Sequence, residues 1–324
     1  MHLGHRFAAA LGAALALASS FAPSDTRACS ICQAGDPLYS GFGATPLEAS
    51  SFSLYLEIQG WRKTSGLLPE DGVVEKGREV NESQILSAYL SWSPLDRLTL
   101  TLDAPWRFNA VIEEPEEGRS RSTLSGFGDL SLTASYVVLR NRPVLPTTWV
   151  DLRLFGKAPT GQREQTVDGK TDPHLQLGTG SWDWGVGIAG GHRVDWGSFY
   201  LSLFYRFNGA GALDYRYGDV ALVNLAFDTP LGHVVGVPAL DFLTPGVELN
   251  FRYAGEDISE GARYQDSGGA IAYVTPTLRI RLPWLEGRRP PSLRLAAQLP
   301  FGQTWLQGEQ HEGVTWSAGV LLPF

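Results

Sequence analysis

The chain has 324 residues, a net charge of −8, a pI near 5.3, 43% hydrophobic residues and a mean hydropathy of −0.09. There is no basic run to neutralise phosphates, so no nucleic-acid partner is expected. A helical membrane bundle is excluded too, because no segment offers about 18 consecutive apolar residues.

The first element is an N-terminal export signal. His5 and Arg6 form a weakly basic start, Phe7 to Leu17 is an apolar run, and small residues lead to Ala22 and Ala28. The run is too short to span a bilayer, so residues 1–28 are expected to be cleaved, after Ala22 or Ala28. Residues 29–48 follow as a separate short segment. It opens on Cys29-Ser30-Ile31-Cys32, which holds both cysteines of the chain. In an exported protein this pair is a disulfide candidate. Gln33 stands where haem attachment would need His. Only Asp36 is near as a further ligand, so Cys29 and Cys32 are weak metal candidates, and no cofactor is expected. Redox exchange, or no role, are the other readings.

Residues 49–324 carry twelve alternating stretches, and apolar residues alone assign their faces. The first, Ser51 to Trp61, places Phe52, Leu54, Leu56 and Ile58 on one side. The second spans Gln84 to Trp92, the third carries Leu98 to Ala104, and the fourth Gly128 to Tyr136. Val150 to Leu154, Trp182 to Ile188, Phe199 to Phe207, Ala221 to Phe227 and Val247 to Tyr253 follow. Ala270 to Leu282, Leu293 to Leu299 and the terminal Val314 to Phe324 complete the set. Thirteen charges are read as facing the other way: Glu57, Asp103, Asp129, Asp151, Arg153, Asp183, Arg206, Asp219, Glu248, Arg252, Arg279, Arg281 and Arg294.

A soluble sandwich also alternates, but its strands average about five or six residues. These stretches run about 9 to 12, the length that crosses a bilayer when tilted. Connectors also alternate in size. Those at 93–97, 140–147, 193–197, 228–243 and 283–292 are the shorter set. Those at 62–82, 107–124, 157–180, 208–217, 254–267 and 301–312 are longer and polar, as in outer-membrane barrels. Trp61, Trp92, Trp106, Trp149, Trp182, Trp196, Trp284 and Trp305 fall at or near strand ends, where an indole suits a membrane–water interface. The expected fold is therefore an all-β, antiparallel transmembrane barrel of about 12 strands (10–14), in a Gram-negative type outer membrane with both termini in the periplasm. Outer-membrane lipid would be its surroundings. Phe324, a terminal aromatic on an alternating strand, resembles the signal read by the barrel assembly machinery. With these faces, Arg is expected to be costly at Leu201 and tolerated at Ser202.

Several glycine-rich segments stand in a fixed order: Ser125-Gly126-Phe127-Gly128-Asp129-Leu130, Lys157-Ala158-Pro159-Thr160-Gly161, Leu177-Gly178-Thr179-Gly180-Ser181-Trp182-Asp183 and Tyr205-Arg206-Phe207-Asn208-Gly209. Ser267-Gly268-Gly269, Thr275-Pro276 and Gln298-Leu299-Pro300 follow. Over about residues 50–324, this order and spacing resemble the outer-membrane protein family named after the meta-cleavage pathway of phenol degradation. The resemblance implies a barrel that passes small, often aromatic or apolar, molecules.

The inward charges are lumen or pore candidates. Glu248 and Arg252 share one inward face, as do Asp151 with Arg153 and Arg279 with Arg281. Their near balance suggests a lumen crossed by ion pairs; the other reading is that they only fill and rigidify a small barrel. Tyr89, Phe127, Phe155, Tyr200 and Phe204 are read as inward, lining an apolar path or acting as filler. Asp129 and Asp183, flanked by glycines, suit barrel curvature better than ligand binding. No G-x-S-x-G elbow occurs, and no histidine sits in a strand position that pairs it with Ser and a carboxylate, so catalysis is not expected. The expected function is passive passage of a small-molecule solute, with 29–48 as plug or tail. The alternative is a structural barrel serving a periplasmic redox or metal-handling partner.

Overall fold

The computed structural model describes residues 49–65, 78–114, 120–143, 145–169, 171–264, 267–283, 290–303 and 311–324. The expected export signal, the 29–48 segment with Cys29 and Cys32, Trp284 and Trp305 lie outside the described residues.

Strand β1 (Phe52–Ser65) pairs antiparallel with β2 (Arg78–Leu95), and β2 with β3 (Leu98–Glu114). The long β3 has two successive partners on its other edge, β4 (Ser120–Phe127) and β5 (Ser131–Arg140). The meander continues through β6 (Thr148–Lys157), β7 (Asp183–Val194) and β8 (Gly197–Phe207). After the short β9 (Tyr215–Arg216) come β10 (Val220–Asp228), a one-turn helix α1 (Leu231–Val235) and β11 (Leu243–Ala254). The hairpin β12 (Asp257–Ser259) and β13 (Ala262–Tyr264) precedes β14 (Gly269–Arg281) and β15 (Ser292–Pro300). A two-residue β16 (His311–Glu312) leads into β17 (Thr315–Pro323), which pairs back onto β1 from Ser53 opposite Pro323 to Gly60 opposite Trp316. With β4 and β5 taken as one broken strand and β16 as an extension of β17, this is a closed antiparallel barrel of twelve strands.

The alternation seen in the sequence becomes inside and outside. In β8, Tyr200, Ser202 and Phe204 are buried within the barrel, whereas Leu201, Leu203 and Tyr205 are exposed on its outer wall. Leu86, Leu90, Leu152, Leu154, Val186 and Leu249 continue that exposed apolar wall. Aromatics gather towards its two margins. Phe52 stacks on Trp92, and Trp196 packs on Phe199 and Phe227, at the end where β1 begins and β17 finishes. Trp106 meets Phe127, and Trp184 stacks on Phe207, at the opposite, loop end. Trp196 and Phe207 are eleven positions apart, about 36 Å along the chain, or about 28 Å once a strand is tilted by ~40°. That separation matches the thickness of a hydrocarbon layer.

Four expectations need correction. Trp149 is not an interface residue: it is 1% exposed, turned into the barrel against Tyr200. Strands β1 to β3 run past the expected loop boundaries, and β4 occupies part of the expected 107–124 loop. Phe127 points outward, 61% exposed. Residues 128–130 leave the ladder between β4 and β5, and this break lets the two pieces use opposite parities. The odd residues of β4 are mostly on the exposed side, while the odd residues of β5 include buried Ser131 and Thr133. Lastly, Ser202 is 2% exposed and accepts a hydrogen bond from Asn224 Nδ2 (3.1 Å), so its surroundings are already filled.

Arg at either position of β8 is therefore expected to destabilise, by different routes. Leu201→Arg places a charge on the outer apolar wall and is expected to cost about 2–4 kcal/mol near the middle of a bilayer. Leu201→Met should cost less than about 1.5 kcal/mol, as a volume-conserving exchange. Reversible urea unfolding in lipid vesicles measures both, and equal stability of the Arg and Met variants would contradict the assigned outer face.

Candidate functional site in the barrel interior and mouth

Antiparallel register brings inward side chains of successive strands level with one another. Arg294 on β15 and Glu57 on β1 both stand opposite Gly319 of the intervening β17. Arg294 lies 3.4 Å from Glu57 and 3.0 Å from Glu248 of β11, so one guanidinium bridges two carboxylates. Tyr55 stacks on Tyr89 and donates its hydroxyl to Glu57 Oε1 (3.0 Å). A Cβ at Gly319 would collide with the Tyr55 hydroxyl, so glycine in the last strand makes room for the phenol.

A polar ladder continues from this cluster. Asn250 Nδ2 donates to Glu248 (3.3 Å) and to Asn224 (2.8 Å), and Asn224 donates to Ser202. Thr275 donates to Asn250 Oδ1 (2.6 Å). The run crosses β8, β10, β11 and β14, all inside the barrel. These buried amides and charges satisfy one another, as groups removed from water must.

Other interior charges pair locally. Asp151 and Arg153 meet at 2.8 Å on β6. Arg279 pairs with Asp228 of β10 at 2.9 Å. Arg252 pairs with Glu312, which also accepts the Tyr273 hydroxyl, and Arg252 lies over the Tyr273 ring. Two of the thirteen charges stand apart from the interior. Asp219 is one residue before β10 and has the parity of its outward residues. It accepts the Asn208 N–H (2.9 Å) and pairs with Arg216 (3.3 Å). Arg281 is exposed at the last position of β14 and donates to the Asp241 carbonyl.

Asp129 and Asp183 come together at the loop end, around a residue the sequence reading did not select. Lys157 Nζ is 3.0 Å from Asp129 and 2.8 Å from Asp183. Asp129 also accepts the backbone N–H groups of Gly161 (2.9 Å) and Thr179 (2.8 Å). Asp183 accepts the Ser181 hydroxyl (2.7 Å) and the Gly209 N–H (3.0 Å). Four of the glycine-rich segments therefore meet here. A Cβ on Gly161 would lie 2.7 Å from the Gly128 carbonyl carbon, and one on Gly178 would lie 2.5 Å from Asp129 Oδ1. Three backbone segments touch, which only glycine permits. Signals for this junction were present in Lys157-Ala158-Pro159-Thr160-Gly161, but a single lysine beside two distant aspartates shows no spacing rule.

The junction anchors residues 158–182, which turn into the mouth. Leu175, Gln176 and Leu177 are buried there, and Asn109 of β3 donates to the carbonyls of Leu175 (3.3 Å) and Gln176 (2.9 Å). Tyr217 donates to the Pro173 carbonyl (3.1 Å). Above it β9, β12 and β13 form a small separate sheet. There Asp257 accepts the Tyr215 hydroxyl and the Gly218 N–H (2.7 Å). Burial pushes the Asp257 carboxyl above the usual carboxylate range, despite these donors. Gln176, Leu177, Gly178 and Thr179 of the inserted loop border a cavity of about 80 Å³. Asp103, Asp129, Asp183 and Arg206, four of the expected charges, line it, together with Arg107, Lys157, Phe155 and Phe204. Among the described residues no group of three or more metal-ligating side chains occurs.

No protein-family model and no curated protein matches the chain. Among solved structures, an outer membrane channel from Pseudomonas putida F1 is similar, at 16% identity and a TM-score of 0.61, over 90% of this chain and 100% of that one. The translocator domain of the autotransporter NalP from Neisseria meningitidis aligns at 10% identity and a TM-score of 0.47, over 88% of this chain and 91% of that one. The first similarity is one of fold: a twelve-stranded antiparallel barrel of the outer-membrane type.

Lys157→Met would leave two buried carboxylates facing each other without a cation. It is expected to cost about 3–5 kcal/mol, the usual effect of removing one partner of a buried pair. Adding Asp183→Asn should recover part of that loss. Denaturant unfolding of the purified barrel measures both, and a Lys157→Met variant as stable as the parent would overturn the junction's role.

Proposed function

We propose that the chain is a passive channel of a Gram-negative type outer membrane, exported with its signal cleaved, for small solutes of apolar or aromatic character. The carrying observation is a closed barrel with an apolar outer wall, bounded by aromatics, around a polar interior. A protein surrounded by water rarely exposes an apolar surface this extensive. Lipid on that wall removes the problem. Closure removes the second one, since an open sheet edge has no partner in hydrocarbon. Short turns would then face the periplasm, with both termini, and the long loops would face outward. Phe324, 74% exposed with its N–H on the Phe52 carbonyl (2.8 Å), offers its ring to the assembly machinery. The apolar or aromatic character of the solute rests on the resemblance to the phenol meta-pathway family. No energy source is needed, because nothing in the reading requires transport against a gradient.

A second reading has one observation in its favour. The Arg294 cluster and the asparagine ladder fill interior space, as they would in a barrel that serves as a scaffold. Its partner would be a periplasmic redox or metal-handling protein that docks through Cys29 and Cys32.

Liposome swelling and single-channel recording on the full chain, with and without residues 29–48, separate the two. The channel reading expects swelling in small neutral solutes and a measurable conductance, rising on deletion if 29–48 is a plug. Absence of both in the two proteins would leave the scaffold.

A further inference from the structure

We infer that the connector between β10 and β11 is a membrane anchor, whose exposed valines rest in the phospholipid leaflet at the short-turn end of the barrel. The inference goes beyond the channel reading and shares only its premise that lipid covers the outer wall.

This connector differs from the others at its end. Those carry charge: Asp96 and Arg97, Arg140 and Arg142, Arg193 and Asp195, and Glu286, Arg288 and Arg289. From Thr229 to Leu240 there is none, with His233 neutral at pH 7. The segment is also longer than a strand reversal needs, since about two to five residues suffice for a hairpin. What fills it is apolar and turned outward. Val234 is 61% exposed, Val235 51% and Val237 45%, and Pro238 and Ala239 beside them are exposed as well. Contiguous apolar exposure of this kind marks a contact surface.

The backbone is prepared for an apolar medium, where each peptide group must bring its own partner. The N–H groups of His233 and Val234 donate to the Pro230 carbonyl (3.1 and 3.4 Å), and that of Val237 to the Gly232 carbonyl (2.9 Å). Leu240 donates to Val237 (2.9 Å) and Asp241 to Pro238 (3.1 Å). Gly236, at φ 70°, ends α1 in the left-handed region. Gly232 lets the two limbs of the connector touch: a Cβ there would lie 2.5 Å from the Val237 carbonyl oxygen. The connector thus closes its polar groups on itself and leaves its valines outside.

Position selects the occupant. The Thr229 hydroxyl donates to the Trp196 carbonyl (2.5 Å), and Trp196 packs on Phe199 and Phe227 at this margin of the outer wall. The valines therefore continue the apolar wall past its aromatic margin. There an interfacial segment is buried about 5–10 Å into the boundary between headgroups and acyl chains. A protein partner fits less well. Protein interfaces are enriched in Tyr, Trp, Phe and Arg, and residues 229–240 contain none of these.

Quenching by lipid tests the anchor. In the full chain with Cys29→Ser and Cys32→Ser, a single Val235→Cys carries a bimane fluorophore. Leu201→Cys marks the outer wall. Arg142→Cys, exposed in a charged connector, marks the aqueous side. Each barrel, its folding checked by heat-modifiable migration on unboiled gels, is placed in phosphatidylcholine vesicles with and without nitroxide-labelled lipid. The Val235 label should be quenched at least about threefold more than the Arg142 label, as burial at the interface requires. Equal quenching of the two overturns the anchor. A Val235 label shielded from aqueous iodide yet unquenched by lipid is covered by protein, and overturns it too. Val237→Cys repeats the measurement should Val235→Cys fail to fold. The Leu201 label keeps the two readings apart. Quenching at Leu201 without quenching at Val235 leaves the lipid-facing wall and overturns the anchor alone. Quenching at Val235 without quenching at Leu201 leaves the anchor and overturns the lipid-facing wall, and the channel reading with it.

Discussion

The structure depends on closure between its first and last strands. A sheet whose outer face is apolar has to bury that face, and in hydrocarbon every backbone N–H and C=O must also find a partner. Strand β17 meets both needs by pairing with β15 on one side and β1 on the other. The seam constrains side chains as well as backbone. Inside the seam, Gly319 leaves space for Tyr55, whose hydroxyl reaches Glu57 and so ties the first strand's charge to Arg294 from beyond the seam. Outside it, Trp316 stands opposite Gly60. The terminal strand is thus fitted to its neighbours on both faces.

Once the ring is closed, the interior becomes an electrostatic problem of its own. Charges there are separated from bulk water, where isolated ions are costly and pairs are strong. The barrel resolves this with acceptors and donors taken from different strands: Arg294 with Glu57 and Glu248, Arg279 with Asp228, Arg252 with Glu312. Each cross-strand pair has a meaning for register. A slip by one residue would turn every such group outward and leave its partner behind. The same ladders that satisfy the polar groups therefore specify the pairing of the strands.

What could be read from the sequence follows from this division. Wherever one face meets an apolar medium and the other a polar interior, the period of two is imposed on the sequence, and twelve strands with their faces were legible. Strand β4 was not legible, because Ser120 to Phe127 carries a mostly polar SRSTLSGF sequence that shows no one-sided apolar pattern. Phe127 was misplaced for the related reason that three residues outside the ladder change the parity, and spacing alone does not reveal a break. Trp149 departs from expectation because residue type does not settle environment: an indole at a strand end suits an interface, but position 149 is inward by parity. Asp219 and Arg281 lie where strands stop and parity loses its meaning. Lys157 escaped notice because its two partners, Asp129 and Asp183, are distant in sequence and become neighbours only through the pairing of β5, β6 and β7, which sets Lys157 opposite Asp183 and Ser131.

The inward turn of residues 158–182 also gives the glycine-rich segments a physical reason. A loop entering a barrel carries peptide groups away from water, and they must be satisfied where they arrive. Asn109 takes up two loop carbonyls by donating to them, while Asp129 and Asp183 receive three N–H groups. Gly161 and Gly178 allow the backbones to approach closely enough for those bonds to form. The two carboxylates are thus committed to holding the loop, and Lys157 is committed to them. Arg107 and Arg206 line the space beneath the inserted loop, as do Asp129, Asp183 and Lys157 themselves. Anchoring the loop therefore fixes the charges at the mouth: Asp103, Asp129 and Asp183 line the cavity together with Arg107, Lys157 and Arg206, three of each sign.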